Sequence, residues 1–458
     1  MLPASAKRRS HCRRQPVNRN VTEVVGQAVV SIPSERSPAF TPRQVNAPHQ
    51  SPGRLSTAAQ RAPERLVRGN DLPYRFLHGG RRVVNRSPLH DFHVSHGAKM
   101  IDFAGWEMPV YYTGINEEHI HTRTKMSVFD VSHMGRLRIE GDDAIPLLQL
   151  ICTRNLDGTQ VGQSKYTHIC NERGGVIDDV IVSRHEDHWM MVCNASNRAR
   201  VTGWLTQHAA GRNVTVVDET IDTAMLAIQG PEALAFVEAT FKVKLQDLKR
   251  YWFIDGGFMG LKYSIFRSGY TGEDGVEAVI PAGAVGLLLP LLVGSGPEAG
   301  GACQPAGLGA RDTLRTEAGM PLYGHELRDD IDSLTAGQAW CVDLNKDFIG
   351  ADAMRKIKAD GLKRKIAGFE LVGKRIARKG YRVLKDGKDV GEITSGTMSP
   401  TLGKSIAMGF LDIGLSEPGT EVSIDLGRQE NPARVVPLPF YKRLKERSAG
   451  ASGSLVNR

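Results

Sequence analysis

The chain has 458 residues, too many for one ordinary hydrophobic core, so two to four domains are expected. Hydrophobic residues make up 41% and charged residues 24%, a soluble globular composition, and the longest apolar run (Ala282 to Gly294) is too short to span a bilayer. The net charge of +9 suggests nucleic acid, but residues 1–86 hold 16 Lys+Arg against four acids while the remainder holds 43 against 46, so no nucleic-acid groove is implied.

Residues 1–86 read as a basic, disordered extension. They carry 9 of the 23 prolines and no sustained apolar period, so they cannot bury a core. Being Arg-rich and acid-poor, the segment is similar to an organellar transit peptide; an upstream start-site error is the other reading. From residue 87 short β-like runs alternate with helical ones. Strands are expected over 128–131, 136–140, 176–182 and 189–193, where β-branched and aromatic residues are bounded by Gly, Asp and Asn. Apolar spacing predicts helices over 142–151 and 232–241, the second entered through the turn Gln229-Gly230-Pro231. The texture changes again near 362. Strands are expected over 366–371, 381–384, 390–394, 407–411, 421–425 and 433–437, with Lys385-Asp386-Gly387-Lys388 as a hairpin turn. That predicts a β-barrel over 362–443, followed by a tail over 444–458. The fold class is therefore α+β and multidomain. Six cysteines (Cys12, Cys152, Cys170, Cys193, Cys303, Cys341) form no C-x-x-C pair, so buried reduced thiols are expected, not a disulfide framework or a metal site.

Four segments carry polar and glycine-rich chemistry. In Gly174-Gly175-Val176-Ile177-Asp178-Asp179 two acids enter a β-branched run, which is costly unless they are functional, well paired, or at an exposed strand end. Residues 267–277 place Gly269, Gly272 and Gly275 at a spacing of three, fit for a close approach to a flat ligand or for a plain hairpin loop. Residues 307–319 read as a helix on which Arg311, Arg315 and Glu317 form an ion-pair lattice, or on which Arg311 meets a ligand with its planar fork. Residues 394–404 form a polar loop, either a cap on a neighbouring site or a barrel turn.

Together with Pro88-Leu89-His90-Asp91-Phe92-His93, Phe103-Ala104-Gly105-Trp106, Phe129-Asp130-Val131-Ser132-His133-Met134-Gly135 and Leu322-Tyr323-Gly324-His325-Glu326, these motifs resemble the aminomethyltransferase family of glycine cleavage T-proteins, in the family's order, over about 87–443. The resemblance implies two interwoven α/β domains over 87–361 around a folate cavity, followed by the barrel. It implies that Asp179 is the catalytic aspartate, that Glu277 and Arg311 hold the pterin ring, that Tyr166 is a stacking aromatic, that Asn194 hydrogen-bonds near the folate, and, from a looser motif, that Tyr251 joins them. Met320 stands where some members carry tyrosine, which puts one ring or glutamate-tail contact in question. Tetrahydrofolate is the implied acceptor, and an aminomethylated lipoyl carrier (H-protein) the implied partner. A relative of another kind, a folate-binding regulator of iron–sulfur cluster assembly, would carry a cysteine where this chain reads Gly269-Tyr270-Thr271-Gly272. Folate-linked oxidases would need an attached flavin domain, for which residues 1–86 are too short. A reducing soluble compartment is expected: the bacterial cytoplasm, or the mitochondrial matrix if residues 1–86 are a transit peptide.

Overall fold

The structure is a computed structural model that describes residues 74–75, 84–258, 260–294, 303–427 and 429–443. Cys12, most of the leader-like segment and the tail over 444–458 lie outside the described residues. Strand pairing begins before the composition change at residue 87. Tyr74–Arg75 pairs antiparallel with Lys99–Phe103, and Asn85–Arg86 pairs parallel with Trp106–Tyr111. The hairpin of Lys99–Phe103 with Trp106–Tyr111 has two open edges, and backbone groups of any side-chain composition can satisfy them. Apolar periodicity does not register such pairing, so the segment read as wholly disordered contributes two short strands.

Two sheets follow, one threaded through the other. Ser127–Asp130 enters a six-stranded sheet and pairs with Thr223–Gln229, nearly a hundred residues later. Between them the chain builds an antiparallel five-stranded sheet. Its order is Thr215–Asp218, Gly135–Glu140, Trp189–Cys193, Val176–Arg184, Gln163–Cys170. The six-stranded sheet is completed by Phe253–Phe258, Leu261–Phe266, Gly275–Pro281 and, parallel to Ser127–Asp130, Gln304–Ala306. The helices Ala144–Ile151 and Arg198–Ala209 cover the inserted sheet through Leu147, Leu148, Val201 and Leu205, all fully buried. At about 1.5–3 kcal/mol per buried aliphatic side chain, this cluster is a core in its own right. The fold class is the expected one, two interwoven α/β units and a barrel. Among the described residues no helix is long and apolar enough to cross a membrane.

The barrel closes in the order Arg364–Leu371, Ser405–Asp412, Lys388–Met398, Arg382–Lys385, Glu421–Asp425, Glu430–Val436, the last pairing with the first. Asp386 and Gly387 both have positive φ, the two-residue hairpin geometry that the Asp-Gly pair favours. One expected loop is instead a strand: residues 394–398 continue Lys388–Met398 and bulge between Ile393 and Ser395. The bulge turns two side chains outward, because an extra residue shifts the alternation. Thr394 Oγ1 donates to Glu326, and Ser395 Oγ accepts from Arg315 Nη2 at 2.8 Å.

The helix Leu308–Glu317 joins the barrel to the rest. A Cβ at Gly307 would lie 2.5 Å from the Val110 carbonyl, and one at Gly309 would lie 2.6 Å from Ile115, so glycine permits the close approach to Trp106–Tyr111. The helix stops at Gly319 (φ +64), with Gly319 N–H bonded to Thr316 O and Met320 N–H to Arg315 O. Its last residue, Glu317, is fully buried. It accepts from Arg123 Nη2 at 2.9 Å, from the Thr401 backbone N–H at 3.0 Å and from Ser399 Oγ, and its Oε2 lies 3.1 Å from His119 Nε2. Burial alone would raise the Glu317 carboxyl, but the His119 hydrogen bond and charge, Ser399 and Arg123 outweigh it and hold the pKa at about 2. The sign follows from linkage. A carboxylate depressed from 4.5 in the unfolded chain stabilises the fold above that pH and loses its contribution as pH falls toward 2. Acid titration followed by circular dichroism should therefore show a loss of stability across that window, diminished in Glu317→Gln.

Candidate functional site

Strands of both sheets and the Leu308–Glu317 helix line a cavity of about 800 Å³, a volume suited to a molecule larger than a typical amino acid. Asp179 sits on its wall. In the strand Val176–Arg184, pairing with Gln163–Cys170 shifts register near Ile177, a bulge that resets where the two acids point. Asp179 Oδ2 accepts from Tyr166 OH at 3.0 Å, and Oδ1 accepts from Asn194 Nδ2 at 2.7 Å. The same Asn194 amide donates to Asp178 Oδ1 at 2.8 Å, so one side chain bridges both acids. Asp178 is fully buried and takes further bonds from the Asn194 backbone N–H (3.0 Å) and Asn197 Nδ2 (2.7 Å). The exposed-strand-end alternative fails for Asp178; only Asp179 opens toward the cavity. Burial raises both carboxyl pKa values, and repulsion from Asp179 raises Asp178 further, so the pair holds a proton closer to neutrality than a free carboxylate does.

Tyr166 is more than a stacking aromatic. Besides bonding Asp179, its hydroxyl lies 3.2 Å from His168 Nε2, and burial pushes the phenol well above its ordinary value, so it remains a donor. Its ring stacks on Trp340 at 5.2 Å and 17°. Trp340 is half exposed at the cavity's edge and was not expected from sequence; a lone tryptophan in a polar stretch carries no periodic signal.

From the six-stranded sheet, Glu277 is buried on the strand Gly275–Pro281 and accepts from Ser268 Oγ at 2.5 Å. Arg311 projects from the helix with its guanidinium over the Tyr270 ring at 4.9 Å, and its Nη1 is buried with no hydrogen-bond partner among the described residues. Burial lowers the Arg311 pKa, and the Glu277 charge opposes that. The lattice expected on this helix therefore divides. Arg315 pairs with Asp312 and Glu326, Glu317 pairs with Arg123, and Arg311 is left for the cavity. Tyr251, at φ +63, also lines the cavity, held by hydrogen bonds from its N–H to Arg267 O and from Ser164 N–H to its carbonyl. Met320 contributes a thioether to the wall, an apolar contact where a hydroxyl would be polar. All six residues singled out from sequence, Asp179, Tyr166, Asn194, Glu277, Arg311 and Tyr251, share this cavity. None of residues 394–404 reaches it; that segment braces Arg315 and Glu317 from behind.

The glycine-rich segment is shaped by Gln229, another residue that sequence reasoning used only as part of a turn. Gln229 Nε2 donates to Ser268 O and Val276 O, and its Oε1 accepts from Thr271 Oγ1. A Cβ on Gly269 would lie 1.9 Å from that Oε1. Gly269→Ala is expected to cost about 1–3 kcal/mol by overpacking, read as a lowered thermal midpoint, and to weaken ligand binding because Tyr270 moves with it.

Two family models cover most of the chain: the GCVT N-terminal domain over residues 89–346, and the glycine cleavage T-protein C-terminal barrel domain over 364–442. The aminomethyltransferase of Rubrobacter xylanophilus is 44% identical over 379 residues, covering 81% of this chain and 99% of that protein. The Bacillus subtilis aminomethyltransferase is 40% identical over 365 residues, covering 79% and 100%. The crystal structure of the glycine cleavage system aminomethyltransferase T from Bartonella henselae superposes with a TM-score of 0.73 at 32% identity, covering 78% of this chain and 98% of that one. With its barrel, its threaded sheets and its cavity accounted for, the chain belongs to the glycine cleavage T-protein family of aminomethyltransferases.

Proposed function

We propose that the protein moves the one-carbon unit of an aminomethyl group from the sulfur of a lipoyl carrier protein (H-protein) to tetrahydrofolate. The products are 5,10-methylenetetrahydrofolate, ammonia and the dihydrolipoyl carrier. The carbon–sulfur and carbon–nitrogen bonds break, and two bonds to folate nitrogens form. The observation that carries the reading is Asp179, held by Tyr166 and Asn194 on the wall of a cavity that also holds Arg311 Nη1, buried with no hydrogen-bond partner among the described residues.

Each side chain has a task that its chemistry fits. Glu277 accepts from ring N–H groups and Arg311 donates to a ring carbonyl, which suits the donor–acceptor edge of a pterin. Tyr166 and Trp340 offer flat surfaces to the aromatic part of the acceptor. Asp179 takes a proton from the attacking nitrogen and stabilises positive charge on the transferring carbon, and burial, by raising its pKa, makes it a stronger base than a free carboxylate. An aromatic amine is a weak nucleophile, so holding it against the carbon supplies several kcal/mol through orientation alone.

The folate-binding regulator reading has less support. The glycine-rich segment lacks the cysteine such a protein would use, and the five described cysteines are buried with thiols pushed up by burial. Those free thiols also fit a reducing compartment. The test mixes purified protein, aminomethylated lipoyl carrier and tetrahydrofolate. Release of both ammonia and methylenetetrahydrofolate is expected; tight folate binding without release would instead favour the regulator.

A further inference from the structure

The turn after Ser127–Asp130 presents one side chain whose chemistry the proposed reaction leaves unused. Met134 N–H closes on Val131 O at 3.0 Å, and Asp130 Oδ1 accepts from Ser132 N–H at 2.8 Å. The other Asp130 oxygen is fixed by His93 at 2.9 Å, inside a wholly buried pair. Ser132 Oγ accepts from Met225 N–H and ties the turn to the six-stranded sheet. His133 stands at the tip of this anchored turn and lines the cavity at 2% exposure. Its ring is braced edge-on by Phe103, with centroids 5.3 Å apart at 87°.

His133 Nδ1 is buried with no hydrogen-bond partner among the described residues, and Nε2 takes part in none of the side-chain bonds described. Leaving a buried polar atom unpaired costs about 1–3 kcal/mol. His96, His185 and His208 also have one unpartnered ring nitrogen among the described residues, but of these four histidines only His133 lines the cavity. Arg311 Nη1, on the same cavity, is likewise buried and unpartnered. Two buried polar atoms without hydrogen-bond partners among the described residues thus share one cavity wall, an arrangement that a ligand with matching polar groups would complete. Burial, together with the nearby Arg311 and Arg136 charges and against the pull of Asp130, holds the imidazole pKa at about 3. The ring is therefore neutral, with one N–H donor and one bare nitrogen acceptor.

We infer that His133 is a specificity-determining residue that hydrogen-bonds, beside Arg311, the heterocyclic ring of the one-carbon acceptor. The inference rests on the tetrahydrofolate reading above and adds a third polar group to the edge read by Glu277 and Arg311. A neutral imidazole neither attracts nor repels charge, so it selects for a donor–acceptor pattern and not for ionic state.

Equilibrium binding of tetrahydrofolate is measured by calorimetry for the full chain, His133→Phe and His133→Gln, alongside a tetrahydropterin that lacks the benzoylglutamate tail. Phenylalanine keeps a ring to pack on Phe103 and removes both nitrogens; glutamine restores one donor and one acceptor. His133→Phe is expected to weaken both ligands by roughly tenfold or more, with His133→Gln in between. The ring-nitrogen NMR signal of His133, assigned by its absence from His133→Gln, is expected to move on adding tetrahydrofolate by far more than the carbon-bound protons of the same ring, as a new hydrogen bond requires and the mere proximity of a bound ligand does not. Unchanged affinity in His133→Phe, with tetrahydrofolate bound normally by the unsubstituted chain, overturns the inference and leaves the proposed function standing. No binding by the unsubstituted chain overturns both. Should His133→Phe fail to fold, the NMR shift decides alone.

Discussion

Replacing Asp179 by Asn is expected to lower turnover by about a hundredfold to ten-thousandfold while tetrahydrofolate affinity stays nearly constant. Asparagine fills the same space but carries no charge and takes no proton. The site has slack to accept it. Of the two donors that face Asp179, the Tyr166 hydroxyl can turn to His168 Nε2, already 3.2 Å away, and the Asn194 amide keeps its bond to Asp178. The loss would therefore be one of chemistry and not of architecture. Steady-state rates of methylenetetrahydrofolate formation, set beside calorimetric binding, separate the two. A mutant with full activity removes Asp179 from the mechanism.

The largest effect on stability is expected at Arg123. It donates to Thr271 O at 2.6 Å, to Glu273 at 2.9 Å and to Glu317 at 2.9 Å, and its guanidinium lies 4.0 Å from the Tyr441 ring centroid. One buried cation thereby joins the helix Ile115–Thr124, the glycine-rich segment, the Leu308–Glu317 helix and the segment after the barrel that carries Tyr441. Arg123→Ala would take the arginine from two buried carboxylates, Glu273 and Glu317, at a cost of about 3–5 kcal/mol. Urea unfolding measures it. Removing Glu317 as well is expected to cost less than the two single changes together, since the two groups share one interaction. Strict additivity would mean that the groups act independently.

How much of this was legible beforehand depended on the range of the interaction. The barrel could be read because each strand is bounded by a local turn, as at Asp386-Gly387. The threading of one sheet through the other could not, because nothing in Ser127–Asp130 marks a partner as distant as Thr223–Gln229. The six site residues came from motif resemblance, and they converge. What the motifs did not convey was the division of labour within them. Arg311 and Arg315 look alike in sequence, yet Glu326 and Asp312 neutralise only the second. Asp178 and Asp179 look alike too, and burial separates them. The part Gln229 plays beyond its turn, and Trp340 altogether, carry no local signal because each acts through a neighbour remote in sequence, the Gly269 backbone and the Tyr166 ring.

The threaded topology has a consequence for how the molecule is made. A nascent chain that has emerged only as far as residue 218 holds every strand of the five-stranded sheet, whose pairings are comparatively local. Ser127–Asp130, by contrast, has neither neighbour: Thr223–Gln229 comes later, and Gln304–Ala306 later still. Pairing across such separations is slow, and an apolar strand kept waiting is exposed to wrong partners. Synthesis halted before residue 304 should therefore yield a protease-resistant inserted sheet carried on a protease-sensitive remainder, and the ligand cavity would be among the last features to form.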